Sequence, residues 1–147
     1  MKIKQVIANK KQYLDLLLLA DEQEGMVDKY LERGNMYVLC DAEIKVVCVV
    51  TDEGSGIFEL KNIATNPKYQ GLGYGKQMIE FVVNQYKDKG STLMVGTGDS
   101  PLTIPFYKKC GFIESHRIAN FFIDNYDHPI FEEGKQLIDM VYLKKNL

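Results

Sequence analysis

Scarcities narrow this chain first. Its 147 residues hold three cysteines, Cys40, Cys48 and Cys110. The count is odd and no C-x-x-C pair occurs, which excludes a disulfide framework. Two of them lie in apolar runs, VLC and VVCVV, so they read as buried reduced thiols of a cytosolic protein. A basic excess is also missing. Lys and Arg number 18 against 20 Asp and Glu, a net charge of −2, without the basic stripe of a nucleic-acid footprint. No apolar run approaches the ~18–20 residues that span a bilayer. The N-terminal leucine run of "MKIKQVIANKKQYLDLLLLADEQ" is interrupted by Asp15 and closed by Asp21–Glu22. It is too short for a signal peptide and lacks a small-residue cleavage site. The two histidines, His116 and His128, stand twelve residues apart with no partner at ligand spacing, so no metal site is expected. Tryptophan is absent, which excludes nothing. The expectation is a soluble, cytoplasmic protein with no nucleic-acid or membrane partner.

What is present looks globular. Apolar residues make up 46% and charged residues 26%, and a chain of this length suits a single domain, residues 1–147, burying about two thirds of its unfolded surface. Residues 2–7 alternate weakly as a first strand. Asn9 is placed to cap a helix whose face is Tyr13, Leu14, Leu17 and Leu18, and a second helix presents Met26, Val27, Tyr30 and Leu31 before Gly34. The period then drops to two. "MYVLC" and "IKVVCVVT" read as strands joined across Asp41–Ala42–Glu43, and "DEGSG" turns into "IFELKNIAT", with Phe58 and Leu60 on one side and Glu59 and Lys61 on the other. A helix carrying Met78, Phe81, Val82 and Tyr86 follows, ended by Gly90, then the short strand "TLMVG". Asp99 or Ser100 can cap the next helix, with Pro101 first and Pro105 in the first turn, where no intrahelical N–H is lost. Gly111 ends it. Strand-like runs occupy about 112–123 and 136–144, and the polar, aromatic and acidic "DNYDHPIFEEG" between them reads as a functional loop. The order β-α-α-β-β-β-α-β-α-β-β describes an α/β (α+β) fold with a mixed sheet.

One stretch asks for explanation: "NPKYQGLGYGKQM". Gly71, Gly73 and Gly75 alternate just before a well-formed helix, at roughly 0.5–1 kcal/mol of chain entropy each. A tight turn is one reason. The other is a backbone left bare so that N–H groups at the helix start can meet an anion. Two common phosphate cradles fail on residues they require. A dinucleotide fingerprint needs glycine where Lys76 stands. A P-loop ending at Lys76 needs glycine at 70 and Ser or Thr at 77, and the chain has Gln70 and Gln77.

"IATNPKYQGLGYGKQM" resembles the pyrophosphate-binding motif of the GNAT superfamily of N-acetyltransferases, Arg/Gln-x-x-Gly-x-Gly/Ala. "FYKKCGF", residues 106–112, resembles its second signature, in which a tyrosine near a helix end precedes Gly-Phe. The element order is similar over nearly the whole chain. The resemblance implies a single GNAT domain, its mostly antiparallel sheet of about seven strands flanked by about four helices and splayed between the fourth and fifth strands. It implies acetyl-CoA as cosubstrate, with Gln70, Gly71, Leu72, Gly73, Tyr74, Gly75 and Lys76 at the pyrophosphate. Backbone groups of Ile63, Ala64 and Thr65 would pair with the pantetheine arm, one N–H meeting the thioester oxygen.

The same resemblance makes Tyr107 the acid that protonates the departing thiolate, where packing alone would otherwise explain it. Glu59 lies where several members keep a base; a surface carboxylate paired with Lys61 would look the same. Ser100 stands where many members have a cofactor-touching asparagine, so its hydroxyl either replaces that contact or caps the helix. Lys76 is either a phosphate cation or an exposed first-turn lysine. The implied reaction moves acetyl to a primary amine of a small molecule or peptide in a ternary complex. The rival is a non-catalytic acyl-CoA-binding module. The acceptor side would carry Glu22, Glu24, Asp124, Asp127, Glu132 and Glu133 with Phe121, Phe122 and Tyr126, which suits a cationic amine but equally describes solvated loops. The acceptor's identity and the oligomeric state stay open, a homodimer included.

Overall fold

The runs Asn35–Cys40 and Ile44–Asp52 are buried along almost their whole length, as strands are when both faces of their sheet are covered. The computed structural model describes all residues from Met1 to Leu147. They form two units, residues 1–91 with Leu147, and residues 92–146. The first contains β1 (Lys2–Val6), a 3-10 turn (Lys10–Tyr13), α1 (Leu14–Ala20), α2 (Glu24–Asp28), β2 (Asn35–Cys40), β3 (Ile44–Asp52), β4 (Ile57–Thr65) and α3 (Tyr74–Tyr86). Strands β1 to β4 pair antiparallel in sequence order.

One face of this sheet packs Val38, Val47, Val49 and Ala64 against Leu17, Val27, Tyr30 and Leu31 of the early helices. A side chain as deeply buried as Leu17 contributes about 1.5–3 kcal/mol. The opposite face carries α3, where Phe81 meets the Tyr37 ring at 5.1 Å and Tyr86 meets Phe58 at 4.6 Å. Both expected helix faces in the early region are buried or packed on the core. The expected side-chain cap is not made: Asn9 adopts φ 52 and only its carbonyl accepts a helical N–H, that of Gln12 at 3.1 Å. The stop at residue 34 works by closeness. A Cβ on Gly34 would lie 2.5 Å from Val49 Cγ1 and 2.9 Å from the Tyr30 carbonyl oxygen. Lys10 closes the same turn, donating from Nζ to the carbonyls of Leu31 (3.0 Å), Glu32 (3.3 Å) and Gly34 (2.7 Å), a use of lysine at helix ends that satisfies orphan acceptors.

Strand β4 breaks its alternation once. Val50 pairs with Leu60 and Val49 with Asn62, so Lys61 is an extra residue, a β-bulge. Phe58 packs on α3, whereas Ala64 packs under the early helices. Uninterrupted alternation would have put both on one face. The expected split of Phe58 and Leu60 from Glu59 and Lys61 therefore holds only up to the bulge. Beyond it Asn62 turns into the early-helix layer, where its amide donates to the Leu17 carbonyl (2.9 Å) and the Tyr30 hydroxyl (3.1 Å).

The second unit runs β5 (Thr92–Gly98), α4 (Thr103–Lys109), β6 (Ile113–Ile118), α5 (Phe121–Asn125), β7 (Phe131–Glu132), β8 (Lys135–Gln136) and β9 (Met140–Asn146). Central β9 pairs antiparallel with β5 and β6. Here the tail departs from expectation. The run 112–123 is a strand only to Ile118, and the run 136–144 yields to a two-stranded hairpin before β9 begins. A helix of five residues and strands of two complete little more than one repeat of the patterns that reveal them, too little to show a period. The hairpin turns at Glu133 (φ 50) and Gly134 (φ 74), consecutive left-handed residues that suit a tight two-residue turn. No helix is long and apolar enough to cross a membrane.

Candidate active site

Two groups of residues stand out, one in each unit. In the first, β4 ends at Thr65 and a 3-10 turn over Pro67–Tyr69 leads into the glycine loop. The Lys68 N–H donates to the Asn66 side chain at 3.1 Å, and the Gln70 amide donates back to the Thr65 carbonyl at 3.4 Å. Gly71 (φ 75) and Gly73 (φ 88) occupy the left-handed region that favours glycine. A Cβ at either would meet nothing within 4 Å, so the space above this backbone is open. Gly75 is different: it lies in the first turn of α3 with helical neighbours, and no backbone strain demands glycine there.

The first intrahelical bond of α3 runs from the Gln77 N–H to the Gly73 carbonyl, 3.1 Å. The N–H groups of Tyr74, Gly75 and Lys76 precede that ladder, at the end where the helix carries about half a positive charge. No acidic residue occupies the first turn, and Lys76 is exposed beside it. Such a helix start suits a phosphate. The base of the loop is anchored by Tyr69, whose ring lies 3.6 Å from the Lys45 ammonium and 6.3 Å from the Tyr74 ring, and whose hydroxyl donates to Glu43. Sequence reasoning missed this anchor. Its one signal was a lysine standing amid the apolar residues of β3.

Upstream on β4, Ile63, Ala64 and Thr65 pair in register with Cys48, Val47 and Val46. In an antiparallel strand alternate N–H and C=O groups point to opposite edges, so part of this main chain is directed away from β3. Glu59 is nearly buried and ion-paired with Lys61 at 3.0 Å, the partner the sequence offered.

In the second unit Tyr107 sits near the end of α4, its ring in edge contact with Phe106 (5.3 Å) and Phe112 (5.8 Å). Gly111, at φ 94, turns the chain just after it, and Lys145 Nζ donates to the Cys110 carbonyl at 3.0 Å. Burial pushes the Tyr107 phenol well above its ordinary range, and the nearby Cys110 and Glu132 add to that. The phenol is thus held in its protonated, donating form. Ser100 is buried, and its hydroxyl accepts from the N–H groups of Leu102 (3.2 Å) and Thr103 (3.5 Å) while donating to Glu132 at 2.8 Å. Its capping function is therefore realised, one turn ahead of the helix proper. His116 stacks on Tyr142 at 4.9 Å, and His128 pairs with Asp127.

The structure thus gathers residues 70–76 into one loop and joins Ser100 to Glu132 just ahead of the helix that carries Tyr107. The family model for acetyltransferase (GNAT) domains matches residues 32–114. The uncharacterized N-acetyltransferase YvbK of Bacillus subtilis (strain 168) is 39% identical over 136 residues, 90% of this chain and 88% of its own. A GNAT family acetyltransferase from Elizabethkingia anophelis, solved with acetyl-CoA bound, superposes with a TM-score of 0.93 at 36% identity. It covers 99% of this chain and 97% of its own. A Bacillus subtilis acetyltransferase in complex with CoA gives 0.91 at 36% identity, covering 99% and 98%. The likeness includes the mixed, mostly antiparallel architecture of both units. Signature loop, tyrosine-bearing helix, fold and sequence relatives agree, and the chain belongs to the GNAT family of acetyltransferases.

Proposed function

We propose that the protein transfers an acetyl group from acetyl-CoA to a primary amine by direct attack in a ternary complex. The observation that carries this is the open glycine loop at the head of α3, where Gly71 and Gly73 leave unobstructed backbone before the unladdered N–H groups of Tyr74, Gly75 and Lys76. Relatives bound to acetyl-CoA and to CoA at 36% identity support the same cosubstrate here. The pyrophosphate would take the N–H groups of residues 71–76, with Lys76 as cation and Gln70 ordering the loop. Main-chain groups of Ile63, Ala64 and Thr65 would hold the pantetheine arm, and an N–H there would stabilise negative charge on the thioester oxygen.

Each remaining step is assigned to a side chain. Glu59 takes a proton from the arriving ammonium, directly or through water, leaving a nitrogen lone pair to attack the thioester carbon. As the carbon–sulfur bond breaks, Tyr107 donates its proton to the sulfur, and the second proton of the attacking nitrogen returns to the phenolate, directly or through water. An ordinary thiol ionises at about 8.5, below the phenol, so complete transfer in the ground state is uphill. The hydroxyl therefore acts as a strong hydrogen-bond donor whose proton moves only as charge builds on sulfur. Ser100 already serves the cap and Glu132, so it supports α4 rather than the cofactor.

The test is calorimetry with acetyl-CoA, followed by thiol release across a panel of amines. Binding is expected without any acceptor, and a cofactor at 100 times its Kd should stabilise the fold by about 2.7 kcal/mol. No heat and no thermal shift would overturn the reading. Binding without thiol release for any amine would identify an acyl-CoA-binding module instead.

A further inference from the structure

Six acidic residues on the early helices and the late loop are candidates to face a cationic amine, and the structure separates them. Glu22, Glu24, Asp124, Asp127 and Glu133 are exposed, and only Glu132 is partly buried. Two exposed ones already have partners: Glu24 pairs with Lys11 and Asp127 with His128. Glu132 is held in place twice. It lies on β7, one residue before the tight turn at Glu133–Gly134, in register with Lys135 on β8. Its carboxylate also accepts the hydroxyl of buried Ser100 at 2.8 Å, which ties the hairpin to the start of the helix bearing Tyr107.

Yet no cation reaches it. Lys135, its cross-strand neighbour, turns to Asp99 at 3.6 Å, and Arg117 serves Asp99 and Asp139. A carboxylate drawn partly out of water normally has a counter-ion. Here the position is vacant of protein charge, on a hairpin tied through Ser100 to the start of the helix that bears Tyr107.

We propose that Glu132 is the ammonium-binding residue of the acceptor site, holding a cationic primary amine near Tyr107 and disfavouring acceptors that carry a carboxylate next to that amine. The proposal rests on the acetyl-transfer reading and adds the acceptor's charge class to it. A carboxylate stabilises the bound ammonium without taking part in bond breaking, so its loss weakens acceptor binding more than turnover.

Phenethylamine and phenylalanine make a matched pair, differing only by the carboxylate. Calorimetry on CoA-saturated protein should show phenethylamine bound and phenylalanine bound at least about tenfold more weakly. Glu132→Gln should lose roughly 10- to 100-fold in phenethylamine affinity, the worth of one charge-assisted contact, with CoA affinity and melting temperature retained. Steady-state rates should show the same loss in KM, with kcat little changed. Added salt should weaken phenethylamine binding in the wild type and not in the variant. If Glu132→Gln folds poorly, Glu132→Asp, which keeps the charge, should preserve the preference for phenethylamine over phenylalanine. Equal binding of the two probes, unchanged affinity in Glu132→Gln, or CoA-loaded protein that ignores phenethylamine would each overturn the proposal while the acetyl-CoA reading survives. A protein that does not bind CoA at all overturns both.

Discussion

The two groups of candidate residues, one in each unit, are written in different parts of the chain's chemistry. In the first unit the glycine loop and the end of β4 offer main chain: N–H groups, carbonyls and the open space over Gly71 and Gly73. In the second, Tyr107, Ser100 and Glu132 offer side-chain hydroxyls and a carboxylate. A main-chain site tolerates many side-chain changes and fails when backbone conformation fails. A side-chain site fails atom by atom. The contrast teaches where substitutions should hurt and which measurement should register them.

The largest expected effect belongs to the second unit. Tyr107→Phe keeps the ring and its contacts with Phe106 and Phe112 and removes one oxygen. If that hydroxyl donates to the departing sulfur, kcat should fall by roughly 10²–10⁴ with acetyl-CoA affinity little altered. Near-normal turnover under conditions where chemistry limits the rate would sink the acid role. A thioester with a more acidic thiol should shrink the defect.

The first unit should break the other way. Gly73→Val forces a β-branched residue to φ 88 and fills the open space, at a folding cost of about 1–2 kcal/mol. Cofactor binding should disappear while a cooperative melt remains. Thermal shifts with and without CoA separate the two effects, and a retained shift would argue that the loop is only a turn. Glu59→Gln sharpens the comparison, because Glu59 is a side chain proposed to act from the main-chain unit. It should lower kcat/KM most at low pH, where free amine is scarcest. A profile unchanged from pH 6 to 9 would leave Glu59 as the partner of Lys61 alone.

Two smaller effects remain. Ser100→Ala removes the acceptor for the Leu102 and Thr103 N–H groups and should cost about 1 kcal/mol in stability, with the Kd for CoA unchanged. A tenfold loss of CoA affinity would restore a direct cofactor contact. The pH dependence of stability should be mild and alkaline. Burial pushes Cys48 up to about 12 from an ordinary 9, and Tyr30 and Tyr37 move in the same direction. Groups whose folded-state ionisation is raised stabilise fully below their unfolded values, and that stability drains away as pH climbs toward the folded ones. Melting temperature should therefore be insensitive to these groups below about pH 9 and decline above it. All three lie in the first unit, so amide exchange at high pH should accelerate there first. Cys48→Ala should flatten the decline.

Much of the first unit is legible in the amino-acid sequence, because its signals are long. Helix α3 repeats its apolar period over three turns, and β2 and β3 are apolar runs broken by an unmistakable polar corner. The glycine loop stands out because three glycines before a helix demand a reason, although only Gly71 and Gly73 need their conformation. The second unit resists because its elements are short. Five residues of α5 cannot show a helical period, and β7 and β8 are strands by pairing alone. Nothing local distinguishes Glu132 from Glu133. Their difference is that one faces Ser100 and the other occupies a turn, and only tertiary structure decides that. Tyr107 is singled out by its resemblance to a signature, and its burial and unengaged hydroxyl are features that spacing cannot convey.

The extra residue in β4 works as a parity switch. Sheet faces are assigned by counting in twos, so one additional amino acid exchanges the assignment of everything downstream until the strand ends. Removing Lys61 would set Leu60 and Asn62 side by side, still opposite Val50 and Val49, and the downstream faces would hold. One more residue added after Asn62 would instead act on space as a single-base insertion acts on a reading frame. Asn62 would keep its partners Leu17 and Tyr30, while Ala64 would trade layers with Ile63 unless a second bulge absorbed the change. The message carried by the last three residues of the strand, the ones nearest the glycine loop, would be inverted.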